Sequence, residues 1–451
     1  MSESPPKAEE PTLKKSLGLV DATMLVVSSV IGVGIFFTPG SVAQALPSRG
    51  WFFAAWLAGG LLSLAGALAN AELGAMFPKA GGDYVYLREA YHPIAGFLVG
   101  WLSFFVIYAG TVATLAVGFA DGVASFFPMH PLAKQALAGG VIVLTSVVNA
   151  LGVRAGARVN NVSAFFKVAA LAAIVIAGPL VIGHAVGPSS EPTPPIASLS
   201  FGAALSPVLF TYLGWNASVY VASEIRDVEK TLPRSLFIGL AICTTIYLLV
   251  NATYATTLPM NKLAGEGAVG KATAVALFGE KGGIFVSVLI LASVLGALNA
   301  NTLVGPRIAY AMAKDGLLFP QIARVHAGSG APRVAIFVQA TVALVVVFGL
   351  RGFLKALDYT TFAIVLATIA DTLALYMLRV RAPQKPRPYR AWGYPFVPFL
   401  YVIANVAIAL SMLRAKPREC GIGLAILLAG LPFYAVFRRS QKAGPTSDAS
   451  L

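Results

Sequence analysis

The chain has 451 residues, of which 57% are hydrophobic and only 12% are charged. A soluble globular domain carries roughly 25% charged residues, so this composition excludes a soluble protein. The formal net charge is +14, but the basic residues lie in short connections between apolar segments, which is typical of a membrane protein and not of a nucleic-acid-binding protein.

Apolar segments of about 20 residues, the length of a helix that crosses a bilayer, recur along almost the whole chain. They predict an all-α polytopic membrane protein with twelve transmembrane helices. The predicted spans are residues 17–45, 51–77, 91–124, 133–150, 159–184, 199–224, 235–258, 282–313, 333–351, 355–380, 394–414 and 420–438.

The distribution of basic residues predicts the orientation. Most of the 33 lysine and arginine residues lie in the connections on the side of the termini, so we expect both termini in the cytoplasm and the chain in the cell (inner) membrane. The polar residues 1–15 predict a disordered tail and not a cleavable signal, since no short apolar region with a cleavage site follows. Residues 441–451 predict a second cytoplasmic tail.

Two spans carry helix-breaking residues near their centres. The first contains SSVIGVGIFF, from Ser28 to Phe37, followed by Pro39 and Gly40. The sixth has its weak point at Tyr212-Leu213-Gly214-Trp215-Asn216. A break at the bilayer midplane exposes backbone groups that lipid cannot satisfy, so it is tolerable where a ligand supplies the partners. Alternatively, Gly32 and Gly34 only permit close helix packing.

The spacing of the two breaks favours an inverted repeat of spans 1–5 and 6–10, followed by two extra helices. We therefore expect helices 1 and 6 to be unwound at the midplane. The corresponding division of the chain is a ten-helix core at residues 16–380 and helices 11 and 12 at residues 381–440.

Several short motifs resemble those of the amino acid–polyamine–organocation (APC) superfamily, and the similarity is greatest to the L-type amino-acid transporter branch and its bacterial relatives. The motifs occur in the family's order and cover nearly the whole chain. They are Asp21-Ala22 with Ser29 to Phe36, Ala71-Glu72-Leu73 with Phe77 to Tyr84, Phe210 to Asn216, Glu224-Ile225 with Leu232-Pro233-Arg234, and Pro386 to Arg390 with Gly393-Tyr394-Pro395. The resemblance implies a leucine-transporter-like fold and transport of L-amino acids by alternating access, with no enzymatic activity and no cofactor.

An amino acid offers partners for both kinds of exposed backbone group. Its carboxylate accepts from amides, and the N-terminal end of the second half-helix adds a favourable dipole, so we expect the carboxylate at Gly32, Val33 and Gly34. Its ammonium donates to carbonyls. The expected carbonyls are those of Val30 or Ile31 in the first span, together with those of Phe210, Thr211 and Leu213 in the sixth.

Three aromatic or polar residues complete the expected pocket beside Gly214. The resemblance makes Phe210 the gate over bound substrate, although ordinary packing is the alternative. Trp215 is expected to act as a gate and Trp215 and Asn216 to line the pocket.

Lys167 lies well inside the fifth span, where an ionisable group is costly and is a functional candidate by default. Sodium-coupled members of the fold place a cation between helices 1, 5 and 8, and the L-type branch has a lysine here. The resemblance implies that the Lys167 ammonium replaces that ion by donating to a helix-1 carbonyl near Gly32 and to Ser293. This predicts sodium-independent transport; snorkelling to the membrane surface is the alternative.

Three other acids lie within or near spans. Asp371 is eight residues before Arg379 in an apolar segment. It can carry a proton, pair with a basic residue, or be an interfacial acid. Glu72 and Asp21 lie close to helix ends and are interpreted as cytoplasmic-gate or structural charges.

Neutral L-amino acids are the favoured substrates, since no clear acid at the midplane would receive a cationic side chain. A cationic amino-acid or polyamine carrier remains the alternative within transport, and a non-transporting amino-acid sensor is the alternative of another class. Exchange (antiport) and proton symport both remain open.

The positions of the two cysteines indicate whether a disulfide-linked protein partner or a metal cluster is expected. Cys243 and Cys420 lie in or beside apolar spans and provide neither a disulfide framework nor a metal cluster. Animal L-type relatives use a cysteine in the connection between helices 3 and 4, and the corresponding residues 128–134 contain none. We therefore expect no disulfide-linked heavy chain.

Overall fold

The computed structural model describes residues 13–182, 198–349, 353–415 and 417–442, and within these ranges it is a bundle of α-helices. The helices are α1 Leu19–Val30, α2 Gly34–Ala45, α3 Arg49–Met76, α4 Asp83–Ala90, α5 Pro93–Leu102, α6 Ala109–Ala124, α7 Pro131–Ala150, α8 Val153–Ile182, α9 Ser198–Tyr212, α10 Ala217–Tyr220, α11 Val228–Thr257, α12 Met260–Leu263, α13 Val269–Val304, α14 Pro306–Lys314, α15 Arg333–Gly349, α16 Phe353–Arg381, α17 Phe396–Ala415 and α18 Pro417–Lys442. A π-helical segment, Ser103–Tyr108, joins α5 to α6.

In the described residues, nine helical segments are long and apolar enough to cross a membrane, or ten if the bent pair of α1 and α2 counts as one span. This confirms a multi-pass, all-helical membrane protein. Two predicted spans fall outside that count because α15 has 17 residues and because the sixth span is divided between α9 and α10. The predicted tails, apart from residues 13–15, 441 and 442, and nearly all of the connection at 185–198 lie outside the described residues.

One predicted boundary is wrong. The predicted spans 235–258 and 282–313 leave residues 259–281 as a connecting loop, but these residues contain α12 and the first part of α13. Gly279 interrupts α13 with a φ of 70°, so a short outer helix meets the eighth span at an angle. The polar Gly279-Glu280-Lys281 sequence resembles a loop because it marks this bend.

The two halves of the first span have different neighbours. Helix α1 packs against α8, α11 and α13, whereas α2 packs against α9, α12 and α13. This arrangement holds the interruption between α1 and α2 inside the bundle, where backbone groups need partners from the protein or from a ligand.

Buried ion pairs fix the end of the bundle at which α1 begins, here called the N-terminal end. Arg307 donates to both carboxylate oxygens of the fully buried Glu224, at 2.8 and 3.2 Å. Glu72 is also fully buried and pairs with Arg379 and Arg387. Asp21 accepts from Asn161 at 2.7 Å and from the Gly18 amide at 2.8 Å. Glu72 and Asp21 therefore have structural contacts in the fold.

Candidate substrate site

The first break lies at residues 31–33, where the axes of α1 and α2 differ by 48°. The Gly32 amide turns back to the Val30 carbonyl at 2.8 Å. Within the described residues, the amides of Val33 and Gly34 donate to no other backbone group. They stand at the N-terminal end of α2, where free N–H groups and the helix dipole both favour an anion.

The second break lies at residues 213–216, between α9 and α10. Gly214 adopts a φ of 98°, which side-chain-bearing residues rarely adopt. A Cβ on Gly214 would lie 2.8 Å from the Ser29 carbonyl oxygen, so the two breaks face each other in close contact.

Tyr247 on α11 joins the two breaks. Its buried hydroxyl lies 2.8 Å from the Val30 carbonyl oxygen and 3.0 Å from that of Thr211. The Tyr247 ring packs edge to face against Trp56 and Tyr212. The single hydroxyl proton of Tyr247 is therefore within reach of one carbonyl from each interruption.

A cavity of about 130 Å³ lies between the breaks. It is lined by nine residues that the sequence singled out, and their role in binding stays a prediction. They are Val30, Gly32, Val33, Gly34, Phe210, Thr211, Leu213, Gly214 and Asn216.

The two glycines of the first break have different surroundings. A Cβ on Gly32 would meet only the Val30 carbonyl oxygen, at 3.9 Å, so the missing side chain leaves room in the cavity. A Cβ on Gly34 would lie 2.7 Å from Thr211 Oγ1 and 3.0 Å from Thr211 Cα. Gly34 therefore permits close packing of α2 on α9. This is the role that the packing alternative assigns to both glycines.

Two expected pocket residues lie elsewhere. Ile31 does not line the cavity, because its side chain and carbonyl face α8 and α13. Trp215 is buried and packs edge to face against Tyr401 on α17, with its ring beside Gly66. The expectation that Trp215 lines the cavity is therefore wrong, since the turn at Gly214 directs its ring away, and its role as a gate stays a prediction.

Lys167 is buried within the bundle and does not extend to the membrane surface. Its Nζ donates to the Ile31 carbonyl at 2.8 Å and to the Ser28 carbonyl at 2.9 Å. Ser293 Oγ donates to the same Ile31 carbonyl at 3.1 Å. Lys167 thus contacts helix 1 beside Gly32 as expected, but the expected direct bond to Ser293 is replaced by a shared acceptor.

This contact satisfies the C-terminal end of α1. The last carbonyls of a helix lack intrahelical partners and carry the negative end of the dipole, which favours a cation. Lys167, Ser293 and Tyr247 supply donors to these carbonyls. The Ser28, Val30 and Ile31 carbonyls therefore accept from side chains of the protein, whereas the amides of Val33 and Gly34 remain available.

Asp371 is fully buried and lies deep in the bundle, so the interpretation as an interfacial acid is wrong. No salt bridge in the described residues includes it.

Asp83 lines the cavity, and sequence reasoning missed it because GGD reads as an ordinary turn after the second span. The signal was the pair Gly81-Gly82, whose positive φ angles turn the chain inward before Asp83.

Comparison with known proteins places these features in a family. The sequence model of the amino acid permease family matches residues 17–429. The chain is 33% identical to the serine/threonine exchanger SteT of Bacillus subtilis over 94% of this chain and 97% of that protein. It is 30% identical to the human large neutral amino acids transporter small subunit 2 over 94% of this chain and 80% of that protein.

A third relative, the human Asc-type amino acid transporter 1, is 30% identical over 97% of this chain and 85% of that protein. All three relatives are transporters and none is an enzyme. The match spans both helix breaks, the cavity and Lys167. The chain therefore belongs to the amino acid permease family of the APC superfamily.

Proposed function

We propose that this protein carries neutral L-amino acids across the cell membrane by alternating access and without sodium. The observation that carries the proposal is the Lys167 ammonium on the Ser28 and Ile31 carbonyls at the first helix break. A fixed cation at these carbonyls stands where sodium-coupled members of the fold bind their ion. It leaves neither the Ser28 nor the Ile31 carbonyl for a second cation.

The proposed architecture is a leucine-transporter-like inverted repeat, spans 1–5 against 6–10. It is supported by the positions of the breaks, one after α1 and one after α9, which begin the two halves. In this arrangement the breaks lie at the membrane midplane and the N-terminal end of the bundle faces the cytoplasm.

The free amides of Val33 and Gly34 would hold the substrate carboxylate. The ammonium would bind at the second break, near the Phe210 and Leu213 carbonyls. The Phe210 carbonyl accepts from the Leu213 amide at 3.1 Å but, in the described residues, from no side chain, whereas the Val30 and Ile31 carbonyls accept from the side chains of Tyr247, Lys167 and Ser293. Phe210 lines the cavity at the end of α9 and would close over the substrate.

The cavity wall supports a neutral substrate. Four threonines, Thr111, Thr114, Thr211 and Thr368, line the cavity together with aliphatic residues, which suits a small side chain without charge. The relatives include a serine/threonine exchanger and a large neutral amino acids transporter.

A cationic amino acid is the second candidate, because Asp83 lines the cavity. The neutral substrate is favoured because Asp83 already accepts from Tyr220 Oη at 2.5 Å and its charge is not presented alone. A sensor of the same fold would bind amino acids without moving them.

Countertransport in proteoliposomes separates these readings. Vesicles preloaded with unlabelled serine or alanine should take up labelled serine in sodium-free buffer, and empty vesicles should take up much less. Competition by neutral amino acids, but not by lysine or arginine, supports the neutral class. Binding without uptake in preloaded vesicles would identify a sensor, and selective competition by arginine would identify a cationic carrier.

A further inference from the structure

Two carboxyl groups face each other beside the cavity. Asp83 begins α4 and Asp371 lies within α16; they are 1% and 0% exposed. Helix α4 packs against α16, and this packing brings the two carboxyl groups next to each other. Apart from each other, both oxygens of Asp371 and Asp83 Oδ1 meet no hydrogen-bond donor in the described residues. Two ionised carboxylates are acceptors only, so a bond between them requires a proton.

Within the part of the chain that the structure describes, no lysine or arginine pairs with either carboxyl group. The groups that face the pair are tyrosines from several elements: Tyr86 on α4, Tyr91 after it, Tyr108 on the π-helical segment, Tyr220 on α10 and Tyr401 on α17. On α16 itself, Arg379 pairs with Glu72, and Arg381 donates to the Ala90 carbonyl at 3.0 Å. Two like charges in this buried site would repel strongly, and neither gains an ion pair in the described residues.

A short hydrogen-bond chain connects the pair to the cavity. Tyr220 Oη donates to Asp83 Oδ2 at 2.5 Å, and Asn216 Nδ2 donates to Tyr220 Oη at 3.2 Å. Gly82 makes the approach possible, since a Cβ there would lie 2.6 Å from the Tyr220 ring. Asn216, Tyr220 and Asp83 all line the cavity.

We propose that Asp83 and Asp371 form a proton-binding site, and that the shared proton is required for the closed arrangement of α4, α10 and α16 during amino-acid exchange. The pair takes up the proton from water while these helices are apart and holds it while they are closed. When the helices separate again, the proton returns to water. No other bond forms or breaks. The proposal rests on the proposed transport function and adds to it a proton requirement at a site separate from Lys167.

The consequence for exchange has a definite sign. Every crossing of a loaded carrier passes through the closed arrangement, so exchange should be fast at acidic and neutral pH. It should fall about tenfold per pH unit once the pair loses its proton, as for one titrating group. Because the closed arrangement is protonated in both directions, the amino-acid exchange itself moves no net proton.

Asp371→Asn is the informative variant. Its amide donates to Asp83 in place of the shared proton and cannot titrate. We expect Asp371→Asn to exchange amino acids at neutral pH within a few-fold of wild type and to lack the alkaline fall. Asp371→Leu removes the donor and leaves Asp83 facing an apolar side chain, so it should lose exchange. Amino-acid-induced thermal shifts establish which variants are folded.

Infrared difference spectroscopy provides a readout without transport. Wild-type protein at neutral pH should show the carbonyl-stretching band of a protonated carboxylic acid, and Asp371→Asn should lack it. Absence of the band in wild type overturns the proposal, as does an alkaline fall that is identical in Asp371→Asn. A band without any alkaline fall overturns the link to exchange. Stabilisation of wild type but not of Asp371→Asn by calcium would assign the pair to a cation instead.

The two proposals fail separately. If neither wild type nor variant moves amino acids at any pH, the proposed function is wrong, and the infrared band still decides whether the pair holds a proton.

Discussion

At the scale of single residues, neighbouring positions with the same sequence signal have different environments. Gly32 and Gly34 form one GxG pattern, but Gly32 borders open cavity and Gly34 contacts Thr211. The sequence predicts the break because glycine is permissive in the backbone. The sequence cannot show which glycine borders the cavity and which permits packing. The space beside each glycine is set by α9, which lies far along the chain.

Gly32→Ala should weaken substrate binding without destabilising the protein. The added methyl group projects into the cavity and meets only the Val30 carbonyl oxygen, at an ordinary contact distance of 3.9 Å. We therefore expect the apparent affinity for amino acids to fall by roughly tenfold while the unfolding temperature without substrate stays constant. Gly34→Ala should instead lower stability by about 1–3 kcal/mol, because it overpacks Thr211. Thermal unfolding with and without amino acid measures both; an unchanged affinity in Gly32→Ala would remove Gly32 from the binding site.

Glu224→Gln should be strongly destabilising. It leaves the buried Arg307 guanidinium without its counter-charge, a change that typically costs about 3–5 kcal/mol. The control is Asp121→Asn, which breaks the exposed pair with Lys134 and should cost about 0–1 kcal/mol. Equal unfolding temperatures for the two variants would show that the buried pair contributes no more than a surface pair.

At the scale of helices, the hydrophobic pattern predicts the spans well because lipid requires long apolar helices. In the described residues, nine of the predicted spans coincide with helices long and apolar enough to cross a membrane, and a tenth coincides with the bent pair of α1 and α2. The interruptions of the first and sixth spans lie at the glycines. The sequence could not give the bend at Gly279, which reads as a loop. It also could not give the burial of Asp83, since that depends on Tyr220 and α16 packing over a turn.

The helix breaks predict that both ends of the substrate backbone are recognised. An amino-acid methyl ester loses the charge that the Val33 and Gly34 amides favour, and an N-acetyl amino acid loses the ammonium. Each loss removes hydrogen bonds to a charged group, worth about 1.5–3 kcal/mol, so binding should weaken by roughly tenfold or more. Competition against labelled serine measures this, and a blocked ligand that competes as well as the free amino acid would contradict the assignment.

At the scale of the whole molecule, transport should need one kind of chain only. Both cysteines are buried within the bundle, and residues 128–134, where the family resemblance implies a linking cysteine in animal members, have none. The purified chain alone should therefore reconstitute exchange in liposomes, with the same rate with and without reducing agent. A partner that runs with the chain on a non-reducing gel and is needed for uptake would refute this prediction.

The central claim is that a fixed lysine replaces sodium between α1, α8 and α13. Lys167→Ala removes both hydrogen bonds to the α1 carbonyls and should reduce flux at least tenfold, while amino-acid binding falls less, because the bridge stabilises one conformation without contacting the cavity. The matched control is Lys262→Ala, which removes an exposed lysine and should leave flux unchanged.

Initial rates of labelled serine exchange in proteoliposomes, measured in sodium and in choline buffers for wild type, Lys167→Ala and Lys262→Ala, test this claim most directly. We predict equal wild-type rates in both buffers and a loss of flux confined to Lys167→Ala. Wild-type exchange that is stimulated by sodium, together with unimpaired exchange by Lys167→Ala, would contradict the account.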